Sequence, residues 1–486
     1  MVGGSNPPGR AYFPENRYPY WVAEKLQLSP EIEAYVRWHA GVAPAQSNDP
    51  VYKRILKNKW TWLSIVIIAS SIASLLIMAN TVMPNVTTED GFFIPGLNAN
   101  AVSTSAWRAL PTLIFWIVCF VLVDRFKPQR LWMWFLAVLW GGSVATCASM
   151  FLNTWLGEQM AVIDDMAGLL AAREAVFVAP FVEEGFKACI IFLIVIVDRN
   201  RFTSRVSGAV IGGLAAAGFA FTENILYYAR VIVFVSYNAG AGEAQERLDY
   251  IVYLRGVLTA FGHPLFTIMT GIGIGFAVTA RSKSVRVLAP VAGYLMAALL
   301  HMFFNFQASI LPEEQLFPLV LMIAWPVVIM VAVRLVVSSI RQGRVISARL
   351  DDYASVGWLP PEYSSAFSRL RSRAWTVIMS IWHGSVIKTW KLQARVTELA
   401  TLGEAISRGT IDRGALLREY DLINEIKELD TNGGLYSGKG LRPYWPWNAS
   451  LHAYDRHRNA HSLEHIATTQ VPLKYSAVDP SWSPPT

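Results

Sequence analysis

Apolar segments long enough to cross a bilayer recur along this chain, and four consecutive segments carry ionisable or polar side chains near their middles. These side chains are Glu183, Glu184 and Lys187, then Glu223, then His263, then His301 with Asn305. A charge near the bilayer centre costs about 2.5 to 3.5 kcal/mol on insertion scales, so a repeated occurrence indicates function. Three carboxylates, two imidazoles and one ammonium form a set that can move protons and activate water. The pattern predicts a reaction centre within the membrane.

Composition predicts a polytopic membrane protein. The 486 residues are 53% hydrophobic and only 16% charged, with a mean hydropathy of +0.34. The net charge of +7 comes largely from short basic blocks beside apolar spans, so membrane topology explains it and we expect no nucleic-acid partner. Cys119, Cys147 and Cys189 lie in apolar segments without a CxxC pair, which predicts neither a disulfide framework nor a thiolate metal site.

Runs of about 20 apolar residues predict an all-α bundle of about eight transmembrane helices. The predicted spans are 60–83, 106–123, 131–153, 175–197, 206–235, 254–280, 287–310 and 316–337. Every second connecting loop is basic and the alternate loops are acidic, which predicts a multi-pass protein of the cell membrane with both termini cytoplasmic. The predicted domains are a partly disordered N-terminal segment 1–59, a transmembrane domain 60–340 with its core at 110–310, a cytoplasmic helical region 341–430 and a disordered tail 431–486.

The depth of each polar residue follows from a helical rise of about 1.5 Å per residue. Glu183, His263 and His301 are eight or nine residues from the predicted outer ends of their spans and share one level. Glu223 is about 5 Å deeper unless its span ends nearer Arg230, whose charge favours the interface. We therefore expect four helices to direct polar groups into one water-filled cavity in the outer half of the membrane.

The fourth span reads PFVEEGFK from Pro180 to Lys187. Lys187 is four residues from Glu183 and three from Glu184, so both carboxylates can contact the ammonium. The two glutamates point about 100° apart, so one can perform chemistry while the other fixes the lysine. The alternative is a buried ion pair that only packs helices.

Small residues in the fifth and sixth spans predict close helix packing rather than nucleotide binding. The fifth span contains Gly208, Gly212 and Gly213, and the sixth contains the sequence GIGIG at 271–275, which follows no strand. Packing does not account for Glu223 and Asn224 in the same fifth span. His263 precedes a proline, and His301 and Asn305 share one helix face. Two histidines and a glutamate could also bind zinc, although no HExxH sequence is present.

The order of these motifs resembles the PrsW family of intramembrane proteases, within the wider CAAX prenyl endopeptidase and bacteriocin-processing superfamily. The motifs are EExxK at Glu183, Glu184 and Lys187, FxxxEN at Phe219, Glu223 and Asn224, an isolated His263, and HxxxN at His301 and Asn305. The resemblance covers roughly residues 110–310.

The resemblance implies hydrolysis of peptide bonds in membrane-embedded or membrane-adjacent proteins, an anti-sigma factor or similar regulator among them. It implies that Glu183 or Glu184 is the base, that His263 and His301 bind water or metal, and that Asn305 stabilises the oxyanion. Glu223 would be an auxiliary carboxylate where prenyl endopeptidases have histidine, which argues against a prenylated substrate. Lys187 and Asn224 would support the site. We favour metal-free chemistry without a cofactor, with zinc at Glu183, His263 and His301 as the alternative.

The residues after the last span are not explained by this resemblance. Residues 368–429 are predicted to be helical, with Trp375, Ile378 and Trp382 among basic residues, as in a helix on an anionic membrane surface. A water-exposed helical hairpin that mediates dimerisation is the alternative.

Two other functions tolerate charges within the membrane. A proton-coupled transporter would use similar groups, but the two halves of the membrane domain show no internal repeat. A non-enzymatic scaffold or sensor would leave the clustered ionisable groups unexplained.

Overall fold

The computed structural model describes residues 50–87, 91–124, 126, 131–161, 173–197, 205–280, 282–355, 358–382, 384–407 and 413–433. The fold is an all-α polytopic membrane bundle, as the sequence predicts. Most of the segments predicted to be disordered, residues 1–49 and 434–486, lie outside the described residues. The described chain forms two compact units: a membrane unit of residues 48–125 and 129–339, and a C-terminal unit from residue 340 onwards that includes Phe126.

The elements of the membrane unit follow one another as helices with one short hairpin. They are α1 (Val51–Leu56), α2 (Lys59–Val82), β1 (Val86–Thr87), β2 (Phe93–Ile94), α3 (Ala99–Val123), α4 (Leu131–Trp140), α5 (Thr146–Ala161), α6 (Ala179–Val197), α7 (Arg205–Ala239), α8 (Ala241–Tyr253), α9 (Gly262–Thr279), α10 (Lys283–Ile310), α11 (Glu313–Leu319) and α12 (Trp325–Ser355). The two strands pair antiparallel, with Val86 opposite Ile94. Within the described residues, π-helical turns at 141–145, 174–178, 254–258 and 320–324 join or precede helices.

Seven helical segments of the described chain are long and apolar enough to cross a membrane. They are Lys59–Val82, Ala99–Val123, Trp132–Gly157, Arg205–Ala239, Ala241–Thr279, Lys283–Ile310 and Phe317–Ser355. The remaining predicted span is α6, a helix of 19 residues that carries Glu183, Glu184 and Lys187. The helix is present, and its three charged side chains distinguish it from the other seven.

Helix α7 lies at the centre of the membrane unit, and its small residues allow close packing. A Cβ atom on Gly208 would lie 1.8 Å from the backbone oxygen of Gly271 in α9, and one on Gly218 would lie 2.1 Å from that of Val138 in α4. Contacts this short leave room only for hydrogen. The predicted packing role of the glycines in these two spans is therefore confirmed.

The sixth predicted span is broken where the sequence analysis expected one continuous helix. Residues 254–258 form a π-helical turn, and a new helix begins only at Gly262. In a membrane the freed carbonyls need donors. Thr112 donates to Gly256 at 2.8 Å, Trp116 to Ala260 at 3.0 Å, and Trp325 to Leu258 at 3.0 Å. Side chains from α3 and α12 thus satisfy the backbone at the break.

The C-terminal unit continues α12 with α13 (Glu362–Ser368), α14 (Leu370–Trp382), α15 (Val386–Ser407) and α16 (Arg413–Gly433). Its apolar core includes Leu350, Phe367, Val396 and Leu422. Arg418 of α16 contacts Glu398 of α15 at 2.7 Å and so joins the two helices, and it also contacts Glu425 within α16 at 2.7 Å. Burial alone would lower the pKa of Arg418, but the two carboxylates outweigh burial and hold that pKa above its usual range.

The close approach of α7 and α9 predicts a selective effect of a single methyl group. We expect Gly208→Ala to lower the thermal unfolding temperature of the detergent-solubilised protein, because its Cβ overlaps the Gly271 carbonyl; overpacking of this kind costs about 1 to 3 kcal/mol. Gly242→Ala is the matched control, since nothing lies within 4 Å of its Cβ position. Equal unfolding temperatures for both variants would contradict the packing described here.

Candidate active site

The first turns of α6 present two carboxylates to one buried ammonium. Lys187 Nζ lies 2.9 Å from Glu184 Oε1 and 3.2 Å from Glu183 Oε2. Lys187 and Glu184 are fully buried. The π-helical turn at 174–178 ends two residues before Pro180, which lacks a backbone N–H; this wider turn is the local bend that the proline permits. The sequence-predicted triad is therefore brought together.

His263 connects this triad to Glu223. Its Nδ1 lies 2.9 Å from Lys187 Nζ, and its Nε2 lies 2.8 Å from Glu223 Oε2. The ammonium can only donate, so Nδ1 accepts and Nε2–H donates to the carboxylate. One neutral tautomer satisfies both contacts. Lys187 also lies 3.9 Å from the ring centroid of Phe219, which adds a cation–π contact.

Arg255 completes the site, and sequence reasoning missed it. Its Nη2 lies 2.6 Å from Glu223 Oε2, its Nε donates to Asn224 Oδ1 at 2.9 Å, and its guanidinium lies 3.9 Å from the Tyr227 ring centroid. The available signal was an arginine one residue inside the predicted sixth span, 254–280. The π-helical turn at 254–258 instead directs it inward.

Glu184 is held from three sides. Besides Lys187, Thr267 Oγ1 donates to its Oε2 at 2.6 Å, and His301 Nδ1 lies 3.3 Å from its Oε1. The His301 ring stacks on Phe266, with centroids 4.9 Å apart and planes 18° apart. These contacts occupy both oxygens of Glu184 and suit it to positioning its neighbours.

Asn305 lies one turn beyond His301, as predicted, but one of its donors is engaged. Its Nδ2 donates to the Ala175 carbonyl at 2.8 Å, a carbonyl within the π-helical turn before α6. An asparagine amide has two N–H donors. One therefore anchors the side chain and leaves the second for another acceptor.

The helices that carry these residues surround a cavity of about 530 Å³ in the membrane unit. The sequence-predicted residues that line it are Glu183, Glu223, Asn224, His263, His301 and Asn305. Glu184 and Lys187 are not among the lining residues. Thr146, Ser149, Asn153 and Glu174 add polar groups to a wall that also contains apolar side chains such as Phe266 and Phe304, so the cavity offers hydrogen-bond partners to water and to a peptide backbone.

The Glu223 side chain reaches the other site residues, and its depth in a membrane stays a prediction. Its Oε2 lies 2.8 Å from His263 Nε2. Helix α7 continues to Ala239, and Arg230 within it donates to the Pro95 carbonyl at 2.8 Å.

Glu183, His263 and His301 have the ligand number of a catalytic zinc site. One donor atom from each lies within 4.8 Å of the others, and three protein ligands are usual for such sites. However, Lys187 Nζ lies 3.2 Å from Glu183 and 2.9 Å from His263 Nδ1. A divalent cation would have to compete with this ammonium for two of its three ligands. The donor set as arranged therefore does not fit a metal ion.

Comparison with known proteins relates the membrane unit to one family. A family model described as PrsW family intramembrane metalloprotease matches residues 129–333. Protease PrsW of Oceanobacillus iheyensis is 30% identical over 133 residues, which are 27% of this chain and 53% of that protein. The chain thus spans about half the length of this curated relative. No solved structure matches the chain.

The buried ion pair predicts that removing one of its charges destabilises the protein more than removing both. Lys187→Met leaves Glu184 without its cation, and removal of one partner of a buried pair costs about 3 to 5 kcal/mol. We expect a large fall in the thermal unfolding temperature in detergent and a partial recovery in Lys187→Met/Glu184→Gln, which removes both charges. Lys283→Met is the matched control at an exposed site. A double variant no more stable than Lys187→Met alone would contradict this pairing.

Proposed function

We propose that this chain, whose residues 129–333 match the PrsW family model, is an intramembrane endopeptidase that hydrolyses peptide bonds of membrane-embedded or membrane-adjacent proteins. The observation that carries the proposal is the unequal environment of the two adjacent glutamates. Glu183 lines the polar cavity, whereas Glu184 is fully buried among Lys187, Thr267 and His301.

Glu183 is the general base in this proposal. A water molecule in the cavity gives its proton to the Glu183 carboxylate and attacks the substrate carbonyl carbon. The same carboxyl then returns the proton to the leaving amine, so acid and base are one residue. Lys187 and Glu184 position Glu183. A neighbouring cation stabilises the ionised carboxylate before attack.

The oxyanion of the tetrahedral intermediate is stabilised by Asn305 in this proposal. The amide N–H not engaged with Ala175 can donate to the oxygen, and a donor aimed at a developing charge contributes strongly in a site of low dielectric. His301 lines the same cavity and positions the water. One side of the cavity is a hydrogen-bonded group of polar side chains, His263, Glu223, Arg255 and Asn224. This group keeps the cavity polar, and His263 connects it to Lys187 of α6.

The contacts of the carboxylates with protein cations support a reaction without a metal ion. The ionised site holds three carboxylates against Lys187 and Arg255, so protein cations already pair the carboxylates at 2.6 to 3.2 Å. The proposed mechanism therefore has no step that uses a metal.

The cellular setting is proposed from the loops of the sequence. Basic loops alternate with acidic ones, and basic loops remain on the cytoplasmic side. We propose the cell membrane as the location, with both termini cytoplasmic. The cavity would then open towards the exterior, so a regulator with one membrane span, such as an anti-sigma factor, is a suitable class of substrate.

Cleavage of a single-span reporter by the purified full-length protein tests the proposal. We expect Glu183→Gln to reduce the cleavage rate by about 10²- to 10⁴-fold, the usual effect of losing a general base. Asn305→Ala should reduce it by about 10²- to 10³-fold, as loss of an oxyanion donor does. The unfolding temperature of Glu183→Gln should remain near that of wild type, because Lys187 keeps its contact with Glu184.

Glu243→Gln is the control, since it makes the same chemical change at an exposed residue of α8. Wild-type cleavage by folded Glu183→Gln would exclude the proposed base. A zinc chelator should leave the wild-type rate unchanged. Activity that is lost to the chelator and restored by zinc would overturn the metal-free mechanism while leaving the protease assignment in place.

A further inference from the structure

The helix α14 in the C-terminal unit has its apolar side chains on the outside. Trp375 is 40% exposed, Ile378 48%, Ile381 62% and Trp382 83%. Ile387, in the first turn of α15, is 72% exposed. These five residues, which we call the α14 face, are large apolar groups that a water-facing helix normally buries.

The opposite side of α14 is polar and buried. Arg373, Thr376 and Ser380 are all buried. Arg373 Nη1 donates to Thr397 Oγ1 at 2.6 Å, and Gln393 Nε2 donates to Thr376 Oγ1 at 2.7 Å. Helices α14 and α15 are therefore joined by hydrogen bonds between polar side chains, and the distribution of apolar residues is reversed from that of a helix in water.

The chain around the α14 face is uniformly basic. Residues 363–397 contain six Lys and Arg and no Asp or Glu. Arg369, Arg371, Lys388 and Lys391 are exposed, so cationic groups border the apolar face. An apolar face with cationic borders and tryptophan matches the chemistry of an anionic lipid surface, in which indole rings occupy the headgroup level and lysine and arginine contact lipid phosphates.

The unit that carries this face is covalently continuous with a membrane span. Helix α12 begins within the apolar segment Phe317–Ser355 and contributes Ile346, Leu350 and Tyr353 to the core of the C-terminal unit. Tethering to a bilayer keeps the local lipid concentration high, so even a small interfacial element binds.

We propose that the α14 face is a second membrane-contact site, which inserts into the headgroup region of an anionic bilayer. The exposed area is apolar, and Arg373 keeps its hydrogen bonds to the Phe367 carbonyl and to Thr397 inside the unit, so insertion does not have to break these bonds. This inference does not depend on the proposed peptidase activity. The face would make the position of the C-terminal unit sensitive to the anionic lipid content of the membrane.

Site-specific fluorescence in nanodiscs tests this proposal with the full-length protein. A polarity-sensitive dye is attached to Ile378→Cys in a background with Cys119, Cys147 and Cys189 replaced by alanine. Asn424→Cys, at an exposed residue of α16 in the same unit, is the matched control. We expect brominated lipids to quench the dye at position 378 several-fold more than at position 424, and phosphatidylglycerol to strengthen this quenching relative to phosphatidylcholine alone.

A second variant keeps the test independent of one substitution, because Trp382→Cys should give the same pattern. Charge removal by Arg371→Gln/Lys388→Gln/Lys391→Gln should weaken quenching at position 378 in anionic discs. Equal quenching at 378 and 424 would overturn the proposal. Quenching that is unaffected by phosphatidylglycerol would contradict the anionic preference.

Discussion

The buried ammonium of Lys187 is the interaction on which the site depends. Its 2.9 Å contacts with Glu184 and His263 and its 3.2 Å contact with Glu183 join α6 to α9 inside the membrane. An unpaired charge in this position would be costly, and each of these partners reduces that cost. The packing of α6 against α9 therefore also brings the site residues together. Glu223 and Arg255 repeat the arrangement on the other side of His263.

Irregular backbone places several of these groups. The π-helical turn before Pro180 presents the Ala175 carbonyl to Asn305, and the turn at 254–258 directs Arg255 to Glu223. Such backbone is tolerated at membrane depth because neighbouring side chains satisfy it and it borders a polar cavity. Thr112 and Trp116 provide that satisfaction from α3. The family resemblance rests on the residues of the proposed reaction, whereas these supporting hydrogen-bond donors determine where those residues lie.

Much of the fold followed from sequence, because hydropathy and helical spacing are local properties. The apolar spans and the meeting of Glu183 and Glu184 with Lys187 follow from such spacing. Arg255 did not, since only the break in its span, which tertiary contacts stabilise, turns it inward. The distinction between the two glutamates also needed the structure, because a difference in exposure to a cavity depends on several helices at once. For α14, the sequence indicates the apolar residues of the helix but not which side of it is buried: Arg373 lies on the buried side and the large apolar residues are exposed.

Water access to Glu183 in the middle of a span is the most direct test of the account. In membranes containing the protein without its native cysteines, Glu183→Cys should react rapidly with a charged, membrane-impermeant methanethiosulfonate reagent. Ile190→Cys, two turns further along the same helix and fully buried, should remain unreactive. Reaction at position 183 alone would support a wet cavity at the carboxylate. Equal resistance of the two positions in a folded protein would show that solvent does not reach Glu183 and would contradict the account.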